Sequence, residues 1–256
     1  MPLTPALLAH AQSAVDQALG TNASTADRPR ALRDSDTLAG RIDHTLLKAD
    51  ATQPAIETLC REAIDHGFAS ACVNSRWVPL VAQTLRGSGV LTCSVVGFPL
   101  GAMTRRAKAN EAAIAVAEGA DEIDMVIDVG GLLSGDLAGV FEDIAGVVAA
   151  ADGRPVKVIV ETCLLDEESI VIACLLSVRA GAAYVKTSTG MSTGGATEHD
   201  VALMRAVVGD ALGVKASGGI RTRDDAERMI AAGADRIGAS ASIAIASGGP
   251  ATSSGY

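Results

Sequence analysis

Aromatic side chains are nearly missing from this chain: three Phe, two Tyr and one Trp make up 2% of its 256 residues. A core of stacked rings is therefore excluded, and the abundant Ala, Val and Gly instead suit helices packed closely on strands. No eighteen-residue run is uninterruptedly apolar, so no membrane-spanning helix is expected. Basic residues are outnumbered, and the net charge of −9 argues against nucleic acid or an anionic membrane surface as a partner. An anionic small substrate would then need a local site, because the field of the whole protein repels it.

Several motifs are absent as well. The five cysteines, Cys60, Cys72, Cys93, Cys163 and Cys174, form no CxxC pair, and an odd number of them reads as reduced thiols in the cytoplasm. His10, His44, His66 and His199 are scattered without HExxH or other ligand-like spacing, so no metal is expected. The N-terminus has neither a basic n-region nor a continuous apolar h-region and does not read as a signal peptide.

What is present is a repeat of βα units. Residues 1–37 stand apart: Leu3, Leu7, Leu8, Val15 and Leu19 fall at helical intervals, and Thr21–Arg30 forms a polar loop. This helix is expected either to plug the bottom of the domain or to cover a partner surface. From residue 40 onward, strand-like runs centre on Ile42, Ala71, Cys93, Ile123, Val158, Val185, Val214 and Ile237. Helical patterns lie between them, such as 53–66, 105–118, 139–150, 167–180, 197–208 and 223–232. Four of these run into a shared ending (DHGFAS, AEGADEI, RAGAAYV, AAGADRI), where glycine caps the helix and the chain returns as a strand. Eight units in a chain of this size predict a closed (β/α)8 barrel over 38–246, with a flexible tail at 247–256. A doubly wound open sheet is the alternative, but its GxGxxG after the first strand is missing.

Barrel enzymes place their chemistry where strands end. Two lysines occupy such ends, Lys186 in AAYVKTSTG and Lys215 in LGVKASGG. Lysine belongs on a solvated face, so a matched pair in successive units is unusual. A buried amine beside a second ammonium is driven towards its neutral form, which imine chemistry on a carbonyl requires. The structural alternative is a pair of barrel lysines neutralised by carboxylates. Other strand ends offer Asp43 and Lys48, Cys72 and Asn74, Asp124 and Asp128 on one face of DEIDMVID, and Lys157 with Glu161 in PVKVIVET. Helices cover the outside of a barrel, so these charges are expected to point inward and interleave. Lys157 and Glu161 read foremost as a structural ion pair.

Three Gly/Ser-rich loops, STGMSTGG, ASGGIRT and GASAS, follow the last three strands. They read as a phosphate cradle made of backbone N–H groups, with Arg221 adding charge. A phosphosugar isomerase or epimerase would share such loops but would not need two strand-end lysines. A non-catalytic phosphometabolite binder is the other alternative, and borohydride trapping separates both from an imine enzyme.

The motifs IDHTLL, GADEIDMVID, KVIVET, VKTSTG and KASGGIRT, in that order from about residue 38 to 245, closely resemble the deoxyribose-phosphate aldolases. That resemblance implies a metal-free, cofactor-free class I aldolase on a TIM barrel. It would cleave 2-deoxy-D-ribose 5-phosphate to D-glyceraldehyde 3-phosphate and acetaldehyde. Lys186 would form the Schiff base, Lys215 would disfavour its protonated form and pass protons, and Asp124 would be the acid/base. Where some members carry a lysine after STG, this chain has Met191. Phosphate binding would then rest on Gly190, Gly219, Ser240 and Arg221. The partners implied are the phosphosugar and aldehyde substrates, with a homodimer as one assembly the sequence allows. Some members end in a tyrosine that folds over the barrel mouth, and Tyr256 stands at that position; its neighbours SGGPATSSG read by composition alone as an inert tail.

Overall fold

The structure is a computed structural model that describes residues 3–20 and 35–249. The polar loop at Thr21–Arg30 and Tyr256 lie outside the described residues. Eight parallel strands close into a barrel in sequence order: β1 Ile42–Leu46, β2 Ser70–Val73, β3 Leu91–Val96, β4 Glu122–Val126, β5 Val156–Ile159, β6 Tyr184–Lys186, β7 Gly213–Ser217 and β8 Arg236–Ala239. Every strand expected from the sequence is found. Among the described residues ten α-helices accompany them: α1 Pro5–Leu19, α2 Gln53–His66, α3 Val78–Thr84, α4 Arg105–Ala117, α5 Val129–Leu133, α6 Leu137–Ala150, α7 Glu167–Arg179, α8 Glu198–Val208, α9 Arg223–Ala231 and α10 Ser242–Ser247. The short α3, α5 and α10 were not expected, because five to seven residues carry too little periodicity to stand out.

Local chemistry explains the boundaries. Side-chain oxygens of Thr104, Asp136, Asp166 and Thr197 accept backbone N–H groups at the starts of α4, α6, α7 and α8. Thr222 and Asp225 form a reciprocal capping box at α9. Gly67, Gly119, Gly181 and Gly233, the glycines of the shared ending, all have positive φ, which lets each helix stop and the next strand begin at once.

Outward-facing Ile123, Met125, Val156, Val158, Val185 and Val214 are buried in one continuous apolar shell beneath the helices. A buried ion pair ties that shell to the end of β4: Lys108 of α4 donates to Asp143 of α6 at 2.5 Å and to the Val126 carbonyl at 2.9 Å. Inside the barrel the only apolar cluster among the described residues is small, comprising Leu47, Cys72, Cys93 and Val95. Much of the rest of the lumen is polar or charged.

Helix α1 does not plug the barrel. It lies outside, against α7 and α6, with Ala11 and Val15 fully buried and Asp16 paired with Arg179. An amphipathic helix with only one apolar stripe finds its cheapest cover on another helix, not under charged strand ends.

Packing inside the barrel is tight at Gly213. A Cβ there would lie 2.3 Å from the Tyr184 ring, which is itself buried. Gly213→Ala should cost about 1–3 kcal/mol through overpacking, read as a lower urea midpoint with an unchanged slope. An unchanged midpoint would show that the ring has room to move.

Candidate active site

Strand register brings the charged side chains together. Asp124 of β4 stands opposite Lys157 of β5, Lys186 of β6 opposite Lys215 of β7, and Lys215 opposite Arg236 of β8. Residues opposite one another on parallel strands share a face, and here that face is the lumen. Asp124 accepts from all three lysines: Lys157 on Oδ1 at 2.8 Å, and Lys186 and Lys215 both on Oδ2 at 2.7 Å. Lys215 also donates to Asp43 Oδ2 at 2.5 Å. The residues singled out as the chemical core, Asp124, Lys186 and Lys215, are thus in direct contact, and all three are buried.

The alternative of lysines neutralised by carboxylates is therefore part of the arrangement. Burial disfavours the Lys215 ammonium, yet the Asp124 and Asp43 carboxylates outweigh it and hold its pKa well above the ordinary lysine range. Lys157 is held up in the same way by Asp124, Glu122 and Asp43, again against burial. Burial pushes the Asp124 carboxyl up, and the ammoniums of Lys157, Lys186 and Lys215 overcome it, keeping its pKa well below the carboxylate range. Burial alone does not leave Lys157 or Lys215 as a free amine.

Two sequence expectations are corrected. Asp128 does not share the inner face with Asp124: β4 ends at Val126, and Asp128 caps α5 by accepting from the Gly131 N–H. Lys157 does not pair with Glu161. The chain leaves β5 at Ile159, and Glu161 takes a left-handed conformation (φ 59°), from which its carboxylate accepts from the N–H and Oγ1 of Thr189. Glu161 thereby fastens the loop after Lys186. Of the remaining strand-end residues, Lys48 is exposed and Asn74 bonds the Leu47 carbonyl at 3.2 Å.

Sequence reasoning missed the layer below. Arg236 donates to Asp43 Oδ1 at 2.6 Å and to Glu122 at 3.3 Å, while Lys157 pairs with Glu122 at 2.8 Å. The signal was available: Glu122 and Arg236 are charged residues inside apolar strands, each an even number of steps from an inward-facing position.

The three loops of the expected cradle lie at the mouth. Gly190 and Gly219 both have positive φ, and a Cβ on Gly218 would come within 3.4 Å of the Gly190 Cα and 3.0 Å of the Gly195 Cα. Backbone therefore meets backbone where the β6 and β7 loops touch, and Ala196 N–H closes the contact on the Ser217 and Gly218 carbonyls. Ser240 follows β8 and lines a cavity of about 140 Å³ with His44, Lys48 and Glu62. Arg221 is exposed, with its backbone N–H on Asp225. Met191 walls a separate cavity of about 120 Å³ with Leu100, Leu164 and Thr189.

Cys72, Cys93 and Asp124 bring three donor atoms within 4.8 Å of one another. That set does not fit a metal ion. Both Asp124 oxygens already accept from lysines, Cys93 Sγ donates to Oδ1 at 3.2 Å, and Lys157 approaches the Cys93 sulfur at 3.4 Å.

A closed barrel with two lysines and an aspartate in contact near the strand ends defines the class, an aldolase. Residues 37–249 match the family model described as DeoC/LacD family aldolase, and the chain belongs to that family. A deoxyribose-phosphate aldolase of Brevibacillus brevis is 59% identical over 215 residues, spanning 84% of this chain and 97% of its own. Another, from Bacillus cereus, is 58% identical over 209 residues, spanning 81% and 94%. Among solved structures, one from Coccidioides immitis matches with TM-score 0.83 at 38% identity, over 96% of this chain and 97% of its own. A tetrameric deoxyribose phosphate aldolase from Aeropyrum pernix matches with TM-score 0.77 at 35% identity, over the same shares.

The charge layer carries a pH signature. The Arg236 guanidinium and the Lys215 and Lys157 ammoniums depress the folded-state pKa of Asp43 against the pull of burial. Its stabilisation is therefore complete above the unfolded value of about 4 and fades as pH falls towards the folded one. The stability gap between the parent and Asp43→Asn, measured by urea unfolding, should be largest above pH ~4 and shrink steadily below it. A gap independent of pH would show that Asp43 is not held as an anion by these partners.

Proposed function

We propose that this chain is a class I aldolase that reversibly cleaves 2-deoxy-D-ribose 5-phosphate to D-glyceraldehyde 3-phosphate and acetaldehyde. The observation that carries this is the shared contact of Lys186 and Lys215 with one oxygen of Asp124. Lys186 is the nucleophile. Its amine adds to the aldehyde carbon of the open-chain sugar, and loss of water gives an iminium two bonds from the carbon–carbon bond to be broken.

Asp124 has two tasks. It stabilises the iminium from the position where it now accepts from Lys186, in a site where little water screens the charge. A carboxylate held so far down is a weak base by itself, so it takes the proton of the carbon-three hydroxyl through a water, with Lys215 as the relay's proton reservoir. Bond cleavage releases glyceraldehyde 3-phosphate and leaves an enamine. Protonation of its terminal carbon restores an iminium, and hydrolysis frees acetaldehyde and the Lys186 amine. Every step is an acid, base or imine step.

The phosphate is held by N–H groups of the loops at Gly190 and Gly219 and by Ser240, with Arg221 contributing charge from the loop that precedes α9. The overall negative charge makes these local donors necessary. Free cysteines and a metabolic substrate suit the cytoplasm, and no described helix is long and apolar enough to cross a membrane. Exposed Ile64 on α2 and Ile114 on α4 are surfaces a homodimer would cover. The Aeropyrum pernix relative is a tetramer, and sedimentation distinguishes the two assemblies.

Lys186→Ala should abolish borohydride trapping of acetaldehyde and reduce cleavage by at least about a thousandfold, with the fold retained by circular dichroism. Label recovered on any other lysine would remove Lys186 from its role. Gly219→Val and Ser240→Leu should reduce kcat/KM for deoxyribose 5-phosphate on the order of tenfold more than for unphosphorylated deoxyribose, because they touch a remote binding group. Equal losses on both substrates would place the phosphate elsewhere.

A further inference from the structure

The barrel lumen holds an unequal number of charges. Four side chains there can carry a positive charge, Lys157, Lys186, Lys215 and Arg236, against three carboxylates, Asp43, Glu122 and Asp124. All seven are buried. A surplus charge sealed in such a place is costly, and a titratable group relieves it by changing its protonation.

Contact chemistry decides which group yields. Arginine does not lose its proton in proteins. Arg236 touches Asp43 and Glu122, Lys157 touches Asp43, Glu122 and Asp124, and Lys215 touches Asp43 and Asp124. Lys186 touches Asp124 alone, on the oxygen that Lys215 also uses. Its side chain also keeps 4% exposure, against none for Lys157 and Lys215. With Lys186 neutral, three cations face three anions.

We propose that Glu122 and Arg236 are positioning residues that fix the charge count of this layer, so that Lys186 is the one amine left free to react. Neither has to touch the substrate. Arg236 acts through Asp43 and Lys215, and Glu122 acts through Lys157, both converging on Asp124. This rests on Lys186 being the imine-forming lysine. It adds that the freedom of Lys186 is set by opposite charges on the two strands that carry Glu122 and Arg236, and not by Lys215 alone.

The neighbours that face Lys186 limit what else could titrate. Asp124 of β4 and Lys215 of β7 are in contact through one oxygen, and Glu161 beyond β5 is taken up by Thr189. Cys72 of β2 is a further titrating group, its thiol drawn down chiefly by the neighbouring Cys93 against the pull of burial. Tyr184 is driven up by burial and stays a neutral phenol.

The test is cyanoborohydride trapping of acetaldehyde by the full chain across pH, with the labelled lysine identified by peptide mapping. The same series is run in a Cys72→Ser background to remove thiol titration. Arg236→Met leaves three lysines facing three carboxylates, so Lys186 keeps its proton and the trapping midpoint should rise by on the order of one pH unit. Glu122→Gln adds to the positive surplus and should lower the midpoint by a similar amount. The double variant restores the original surplus and should return the midpoint to within a few tenths of a unit of the parent's.

Loss of packing alone would weaken trapping in both single variants without moving their midpoints in opposite directions. Midpoints that shift the same way, or not at all, overturn the proposal. Should Arg236→Met fail to fold, Glu122→Gln against the double variant carries the same decision, since the second substitution must bring the midpoint back up. Label on a lysine other than 186 in the parent would refute the imine assignment itself and is seen before any variant is compared.

Discussion

Asp124 is the constraint on which the rest of the structure depends. One carboxylate, fully buried, accepts hydrogen bonds from lysines on three consecutive strands. Removing any of these charges from water is expensive, and only close, well-directed contacts repay that cost. The contacts exist because the inward positions of β4 to β7 are paired in register: Asp124 is level with Lys157, and Lys186 and Lys215, level with each other and with Ile159, lie one inward position further along. Room for them exists because Gly238 on β8 has no side chain: a Cβ there would lie 3.0 Å from Lys215 Cε. The barrel is thus held open at its centre by charge pairs, while its outer face is an ordinary apolar shell.

The same arrangement assigns different tasks to chemically similar residues. Lys157 and Lys215 are surrounded by carboxylates and kept as ammoniums, whereas Lys186 stands at the edge of the network with one shared partner. Position in the network, more than burial, separates these lysines, and the proposed nucleophile is the one with the fewest carboxylate partners. The loops repeat this division. Glu161, in a backbone conformation that side chains seldom adopt, fastens the loop after Lys186, and the glycine contact between the β6 and β7 loops lets their backbones meet.

Much of this was legible in the sequence. The period of the βα units and the repeated glycine endings identified all eight strands, because each strand is a short apolar run ended by a turn signal. Asp124, Lys186 and Lys215 were recognisable as polar residues at the ends of such runs. The strand ends were less legible. Alternation continued past Val126 and Ile159 on paper, yet the chain turns there, so Asp128 became a helix cap and Glu161 a loop clamp. The inward place of Glu122 and Arg236 could be read from alternation, but the partner of Arg236 was hidden because it depends on closure of the barrel, which sets β8 beside β1. No local pattern reports a contact between residues more than a hundred positions apart. The place of α1 was equally out of reach, since an apolar stripe names a need for cover but not the surface that meets it.

The central claim is that carboxylates, not desolvation, decide the charge of the inner lysines. The most direct measurement is the 15Nζ chemical shift of Lys157 and Lys215 followed by NMR across alkaline pH, with assignments from single lysine variants. The account predicts that both stay ammonium beyond the pH at which exposed lysines have lost their protons. Deprotonation of either one with, or before, the exposed lysines would contradict it.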